Sequence, residues 1–228
     1  MAGKSFFIDT TKCTACRACQ VACKQWNQNP ATKTVQSGTY QNPPDLSDAT
    51  FKVVRFAEEE GVAGDQNWYF FPDQCRHCIY PLCKFKADQK VPGAVTLNSE
   101  TRAIVFNPKV KMSRADFEEI REACPYDIPR YDEKTGGMSK CTMCLDRVEN
   151  GMQPACVQAC PTGTMNFGDR QPMLDMAHAR EKEVKQVHPK ANLANSHFVR
   201  VIFLLKDEPK KYHQFAATDR FTPKRRKP

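Results

Sequence analysis

Long apolar runs are absent from this sequence. The most hydrophobic stretch, Val201 to Leu205, falls far short of the roughly 20 residues a bilayer-spanning helix needs, and the mean hydropathy is −0.62, so no membrane span is expected. The first twelve residues lack the apolar segment of a signal peptide, and adjacent arginines occur only at Arg225 and Arg226, so no export signal is expected on the chain. Glycines number 10 in 228 residues and nowhere form a phosphate-cradling loop. No nucleophile stands with a base in a pattern suited to bond-making chemistry, which argues against a catalytic centre in this chain.

What the sequence does have is 12 cysteines. They are too few for a disulfide scaffold and too tightly grouped: Cys13-x2-Cys16-x2-Cys19-x3-Cys23, Cys75-x2-Cys78-x4-Cys83, Cys124, Cys141-x2-Cys144 and Cys156-x3-Cys160. Bridges between neighbours at x2 spacing would be strained. Three cysteines at x2, x2 spacing put their sulfurs on one curled loop open on a single side, which suits an iron–sulfur cubane better than one zinc ion. The fourth, three residues later, turns away, and in two-cluster bacterial ferredoxins it serves the other cluster.

On that reciprocal rule the cysteines divide into three sets of four. Cys13, Cys16, Cys19 and Cys160 are the expected ligands of a first [4Fe-4S] cluster, Cys23, Cys141, Cys144 and Cys156 of a second, and Cys75, Cys78, Cys83 and Cys124 of a third. The positions where one further cluster would find its ligands are Ala87, Arg114, Phe117 and Ile120, all non-cysteine, so a fourth site is missing as a unit. Zinc knuckles at Cys75-x2-Cys78 and Cys141-x2-Cys144 are the competing reading for those pairs taken alone. His77 could be a ligand in isolation, but the sulfur count is already complete, so an outer or surface role is expected for it.

The formal charge of +8 would suggest an anionic partner. Each oxidised cluster with four thiolates contributes about −2, however, so three of them bring the chain to about +2. Lys12, Arg17, Lys24, Arg76, Lys84 and Lys140 lie among the cysteines and read as compensation for buried negative charge, with no nucleic-acid partner expected.

Between the cysteines the pattern is mixed α and β. Lys4 to Asp9 reads as a strand and Gln20 to Trp26 as a short helix. From 27 to 73 a loop precedes a hairpin of Thr50 to Phe56 and Trp68 to Phe71, parted by Gly61 and Gly64. A second hairpin is expected from Gly93 to Leu97 and Ala103 to Phe106. A helix capped by Ser113 should run to Ala123, with Phe117 and Ile120 on its inner face. A longer helix should run from Asp169 and Pro172 to about Val187, burying Met173, Met176, Ala177, Val184 and Val187. Phe198 to Leu205 reads as a strand, and Lys224 to Lys227 as a solvated basic end.

Cys13-Thr-Ala-Cys16-Arg-Ala-Cys19-Gln-Val-Ala-Cys23-Lys-Gln-Trp26, Gln74-Cys75-Arg-His-Cys78, Cys124-Pro-Tyr-Asp-Ile-Pro-Arg130, Lys140-Cys141-Thr-Met-Cys144 and Cys156-x3-Cys160-Pro-Thr-Gly carry a family resemblance. The chain resembles the iron–sulfur electron-transfer subunits of molybdenum or tungsten oxidoreductases of the dimethyl sulfoxide reductase superfamily, and within them the small subunits of soluble formate dehydrogenases. The resemblance spans roughly residues 5 to 205. It implies an α+β fold of two interleaved ferredoxin-like halves with a pseudo-twofold relation. Residues 1–26 with 130–170 would hold two clusters and 74–129 the third. Residues 27–73 would be an insertion, and 171–228 a C-terminal helix and strand extension. It also implies a large molybdenum- or tungsten-bis-pterin partner, a redox acceptor such as a multihaem cytochrome c, and a periplasmic home reached with the partner's signal, a cytoplasmic one being the alternative. The same relay in a thiosulfate, polysulfide or arsenate reductase, or a free-standing polyferredoxin, are the competing readings.

Overall fold

A computed structural model describes residues 2–60 and 66–220. The main layer is a four-stranded sheet that closes the chain's two ends on each other. Its strands are β1 (Lys4–Asp9), β8 (Met165–Asp169), β9 (Asn192–Ala194) and β10 (Val201–Leu205), in the order β8-β1-β10-β9. β1 runs parallel to β10, with Phe6 opposite Val201 and Ile8 opposite Phe203, and antiparallel to β8.

Side chains on a strand alternate between faces, and here both faces are covered. Phe6, Ile8, Val201, Phe203 and Leu205 point into a core shared with Cys19, Cys156, Met143 and Phe71. Phe7, Ile202 and Leu204 point the other way, against α6 (Arg170–Lys185). The segment after 170, expected as an extension, therefore supplies a middle strand and a covering helix of the main layer.

The sheet contact of α6 is narrower than the sequence suggests. Met173, Ala177 and Val184 are buried, whereas Met176 is 44% and Val187 75% exposed. Leu174 packs partly buried against this core, and Val187 lies beyond the end of the helix.

The chain between these strands builds the rest. α1 (Ala18–Trp26) follows the first cysteines. The hairpin of β2 (Val53–Glu60) and β3 (Gln66–Asp73) pairs Arg55 with Phe71 and Glu58 with Trp68, longer than the sequence suggests, and lays Val54, Tyr69 and Phe71 on the main core. Gly61 and Gly64 fall outside the described residues, as does the basic run at 224–227.

A second core gathers α2 (Leu82–Lys90), the hairpin of β4 (Val95–Leu97) and β5 (Ile104–Phe106), and α3 (Arg114–Glu122). The α3 start has its cap: the Asp116 N–H donates to Ser113 Oγ at 3.1 Å and the Ser113 hydroxyl donates to the Asp116 carboxylate at 2.6 Å. The hairpin of β6 (Arg130–Asp132) and β7 (Gly137–Ser139) leads through short helices α4 (Leu145–Glu149) and α5 (Ala155–Gln158) back to β8. Near the C-terminus, α7 (Pro209–Tyr212) packs Tyr212 on Tyr69, ring centroids 5.0 Å apart. Among the described residues no helix is long and apolar enough to cross a membrane.

Candidate metal centres

None of the twelve cysteines is joined in a disulfide. Three of the motifs share one backbone device. Ala15, His77 and Met143, each two residues after the first cysteine of its motif, have positive φ values of 54°, 44° and 65°. Such a conformation is disfavoured for residues with a Cβ and persists where the surroundings enforce it. It turns the backbone N–H back on the preceding sulfur. The His77 and Met143 N–H groups donate to Cys75 Sγ and Cys141 Sγ at 3.4 Å, and the Ala15 N–H serves Cys13 in the same way. N–H groups aimed at sulfur favour the thiolate form.

The sulfurs gather in groups of four drawn from distant parts of the chain. Cys13, Cys16, Cys19 and Cys160 line one small cavity, with Val54, Pro72 and Met165 around them. Cys75, Cys78, Cys83 and Cys124 line another, with Tyr126, Ile128 and Lys140. Cys23, on α1, has Cys141, Cys156 and Cys144 as its charged neighbours. The second group lies beside both others: Cys156 shares the main core with Cys19 and Cys141 a smaller core with Cys75, and each pair interacts electrostatically.

Burial pushes these thiols up: Cys13 and Cys124 to about 11, Cys141 to about 12, and Cys23 and Cys78 well above the ordinary value. Cys160 is shifted the other way. Its burial also acts upward, but N–H groups of Met165, Thr162 and Thr164 and the Thr162 hydroxyl outweigh it and bring the thiol below its usual range.

These surroundings fit an anionic polynuclear group. Among the described residues, no three Cys, His, Asp or Glu side chains close on a single-ion site; the sulfurs rim cavities instead. Three buried donors without a partner, Gln74 Nε2, Arg76 Nε and His77 Nε2, lie within the single stretch 74–77 around Cys75. Buried donors are otherwise almost always paired, and a sulfur-rich anion supplies acceptors.

His77 is fully buried rather than at the surface. Its Nδ1 accepts the Ile104 N–H at 3.0 Å, and burial, with Lys140 and Arg200 nearby, holds its pKa well below the usual value. It is a neutral strut between the Cys75 loop and β5.

Of the cations expected to balance the clusters, Arg76 and Lys140 are buried, Lys84 pairs with Asp88 at 2.7 Å on the surface, and Lys12 is exposed. Lys52, which lay in a segment read as loop and strand, is fully buried among the sulfurs. Nothing in its local sequence marks it; the hairpin folding over the first two groups buries it. Burial alone would lower its pKa, but Cys19, Cys156, Cys141 and Cys23 in their charged forms raise it.

The positions of the missing fourth set are filled. Ala87, Phe117 and Ile120 are at most 1% exposed and pack together in the second core. Arg114 turns outward, 5.6 Å from the Phe117 ring and 5.3 Å from that of Tyr131.

Grouped cysteines on a mixed α and β frame define the class of [4Fe-4S] iron–sulfur proteins. A family model described as a 4Fe-4S dicluster domain matches residues 66–170, with Cys13, Cys16, Cys19 and Cys23 lying N-terminal to it. The chain is 52% identical over 213 residues to formate dehydrogenase subunit beta of Megalodesulfovibrio gigas, covering 93% of this chain and 98% of the relative. It is 51% identical over 214 residues to formate dehydrogenase 2 subunit beta (cytochrome c-553) of Nitratidesulfovibrio vulgaris, with the same coverage. To the iron-sulfur subunit of the nitrate-inducible formate dehydrogenase of Escherichia coli it is 34% identical over 213 residues, 90% of this chain and 70% of that relative. The chain belongs to the family of formate dehydrogenase beta subunits, which are iron–sulfur electron-transfer subunits without a catalytic centre of their own.

Proposed function

We propose that this chain relays single electrons through three [4Fe-4S] clusters between the molybdenum- or tungsten-bis-pterin catalytic subunit of a formate dehydrogenase and an external acceptor, a cytochrome c. The first cluster is held by Cys13, Cys16, Cys19 and Cys160, the second by Cys23, Cys141, Cys144 and Cys156, and the third by Cys75, Cys78, Cys83 and Cys124. The observation that carries this reading is the row of three sulfur groups, with the second beside both neighbours through Cys156, which shares a core with Cys19, and Cys141, which shares one with Cys75. When bound, the clusters supply the one-electron centres. The chain's own residues do the rest: thiolates hold them, backbone N–H groups at Ala15, His77 and Met143 stabilise charge on sulfur, and apolar side chains such as Val54, Met165 and Ile128 keep water away.

The two cores support two interleaved ferredoxin-like halves, one with the first two clusters and one with the third. Apolar filling at Ala87, Phe117 and Ile120 supports three clusters rather than four. The relative named for cytochrome c-553 supports that type of acceptor, and a periplasmic site of action, reached together with the catalytic subunit, follows from the family resemblance.

In a row of three, the third cluster is an end station and serves as the exit. Cys124→Ala, made in the complex with the catalytic subunit, removes it. The expected result is formate oxidation retained with an artificial dye that taps an earlier centre and lost with the cytochrome. Equal loss of both activities, or a wild-type iron content far from about twelve per chain, would sink the proposal.

A further inference from the structure

Two lysines are buried beside the sulfur groups without a carboxylate partner among the described residues. Lys52 is 1% exposed; its Nζ donates to the Pro72 carbonyl at 3.1 Å and to Gln74 Oε1 at 2.6 Å, both neutral oxygens. Lys140 is 4% exposed; its Nζ donates to the carbonyls of Ile104 and Cys141 and sits 4.7 Å from the Phe106 ring centroid. An ammonium taken out of water without a counter-charge is strongly disfavoured. Something anionic must therefore stand near each one.

Their surroundings identify it. Pro72 lines the cavity of the first sulfur group, and Lys140 lines that of the third. The ionisable neighbours of Lys52 are Cys19 from the first group and Cys156, Cys141 and Cys23 from the second. Lys140 acts on Cys141 of the second group and Cys83 of the third. Each ammonium stands at a junction between adjacent groups, and three groups in a row have two such junctions.

We propose that Lys52 is a positioning residue for two relay stations at once, a shared counter-charge that raises the reduction potentials of the first and second clusters together. Lys140 does the same across the second and third. The proposal rests on the cluster assignment given above. Its physical basis is that one-electron reduction makes a site more negative by one charge, and a fixed positive charge in a poorly screened interior favours that state. A purely structural tether to Pro72 would explain the burial of Lys52 equally well, but its loss would not move two potentials in concert.

The test is a redox-poised electron paramagnetic resonance titration of the complex with its catalytic subunit. In Lys52→Met, at an ambient potential equal to the wild-type midpoint, the reduced-to-oxidised ratio of the first and second clusters should fall about tenfold, equivalent to about 59 mV for a one-electron couple. The third should stay at its wild-type ratio. Lys140→Met should move the second and third and spare the first, and Lys52→Arg, which keeps the charge, should hold both ratios near wild type. Unchanged ratios in a fully iron-loaded Lys52→Met, a shift confined to one cluster, or an equal fall in Lys52→Arg would overturn the proposal. Should Lys52→Met fail to load iron, Gln74→Glu decides: it keeps the side-chain shape but sets a carboxylate on the ammonium, and a joint fall of the first two ratios is expected, their constancy being the refuting result. A wild-type complex without three cluster signals would bring down the underlying assignment instead, before any variant is compared.

Discussion

Asp73 and Arg76 offer the sharpest energetic test, because they hold the Cys75 loop to the β2–β3 hairpin from inside. Asp73 is 1% and Arg76 2% exposed. The Asp73 carboxylate accepts from Arg76 Nη1 at 2.7 Å and from Arg55 Nε at 2.6 Å. The Arg76 guanidinium also lies about 5 Å from the ring centroids of Phe71, Tyr126 and Phe203. Removing one partner of a buried pair costs about 3–5 kcal/mol, mostly because the other charge is left stranded.

Asp73→Asn strands Arg76, so the upper part of that range applies. Arg76→Met keeps the volume, and Arg55 still serves Asp73, so about 3 kcal/mol is expected. In Asp73→Asn/Arg76→Met neither charge is stranded, and the combined loss should fall short of the sum by about 2–3 kcal/mol. Cluster loss makes unfolding irreversible, so the assay is the rate at which cluster absorbance bleaches in urea without oxygen. If the loss falls on the unfolding barrier, about 3 kcal/mol is about a hundredfold in rate.

Acid dependence gives a second handle on the same pair. Burial would raise the Asp73 carboxyl, but Arg76 and Arg55 overcome this and hold it below its ordinary value. A carboxyl with a lowered native pKa adds stability above the unfolded value of about 3.9 and loses it as pH falls through the native one. Asp73→Asn should therefore bleach less steeply with acid below about pH 4 than the wild type. Wild-type bleaching rates in both single variants, or strictly additive effects in the double, would refute the reasoning.

Cys160→Ala removes a sulfur from the cavity of the opening cysteines although it lies in the last motif; resonance spectra should lose the first cluster and keep the second, and the reverse pattern would break the proposed pairing. Phe117→Ala opens a cavity in the second core, where Phe117 is 1% exposed; a loss of about 3–5 kcal/mol is expected, read as faster thermal bleaching of the third cluster, and a wild-type rate would show that the apolar filling of the fourth site is not under tension from packing.

Local chemistry made much of this protein legible in the sequence. The β1 strand, the Ser113 cap and the inward Phe117 and Ile120 follow from patterns a few residues long, and the iron–sulfur character follows from the tight spacing of the cysteines. Met176 and Val187 had helical spacing but no sheet beneath them, since the width of the α6 contact depends on the sheet and not on the helix. Whether His77 takes an outer or a surface role was open in the sequence, because a histidine between two cysteines carries no sign of what covers it; the fold buries it. The tertiary structure alone decided that β10 inserts between β1 and β9 and that the hairpin closes over the first two sulfur groups. Those long-range contacts bury Lys52. A lysine's charge is written in the sequence, but whether it stands in water or among buried cysteines is a property of what folds around it.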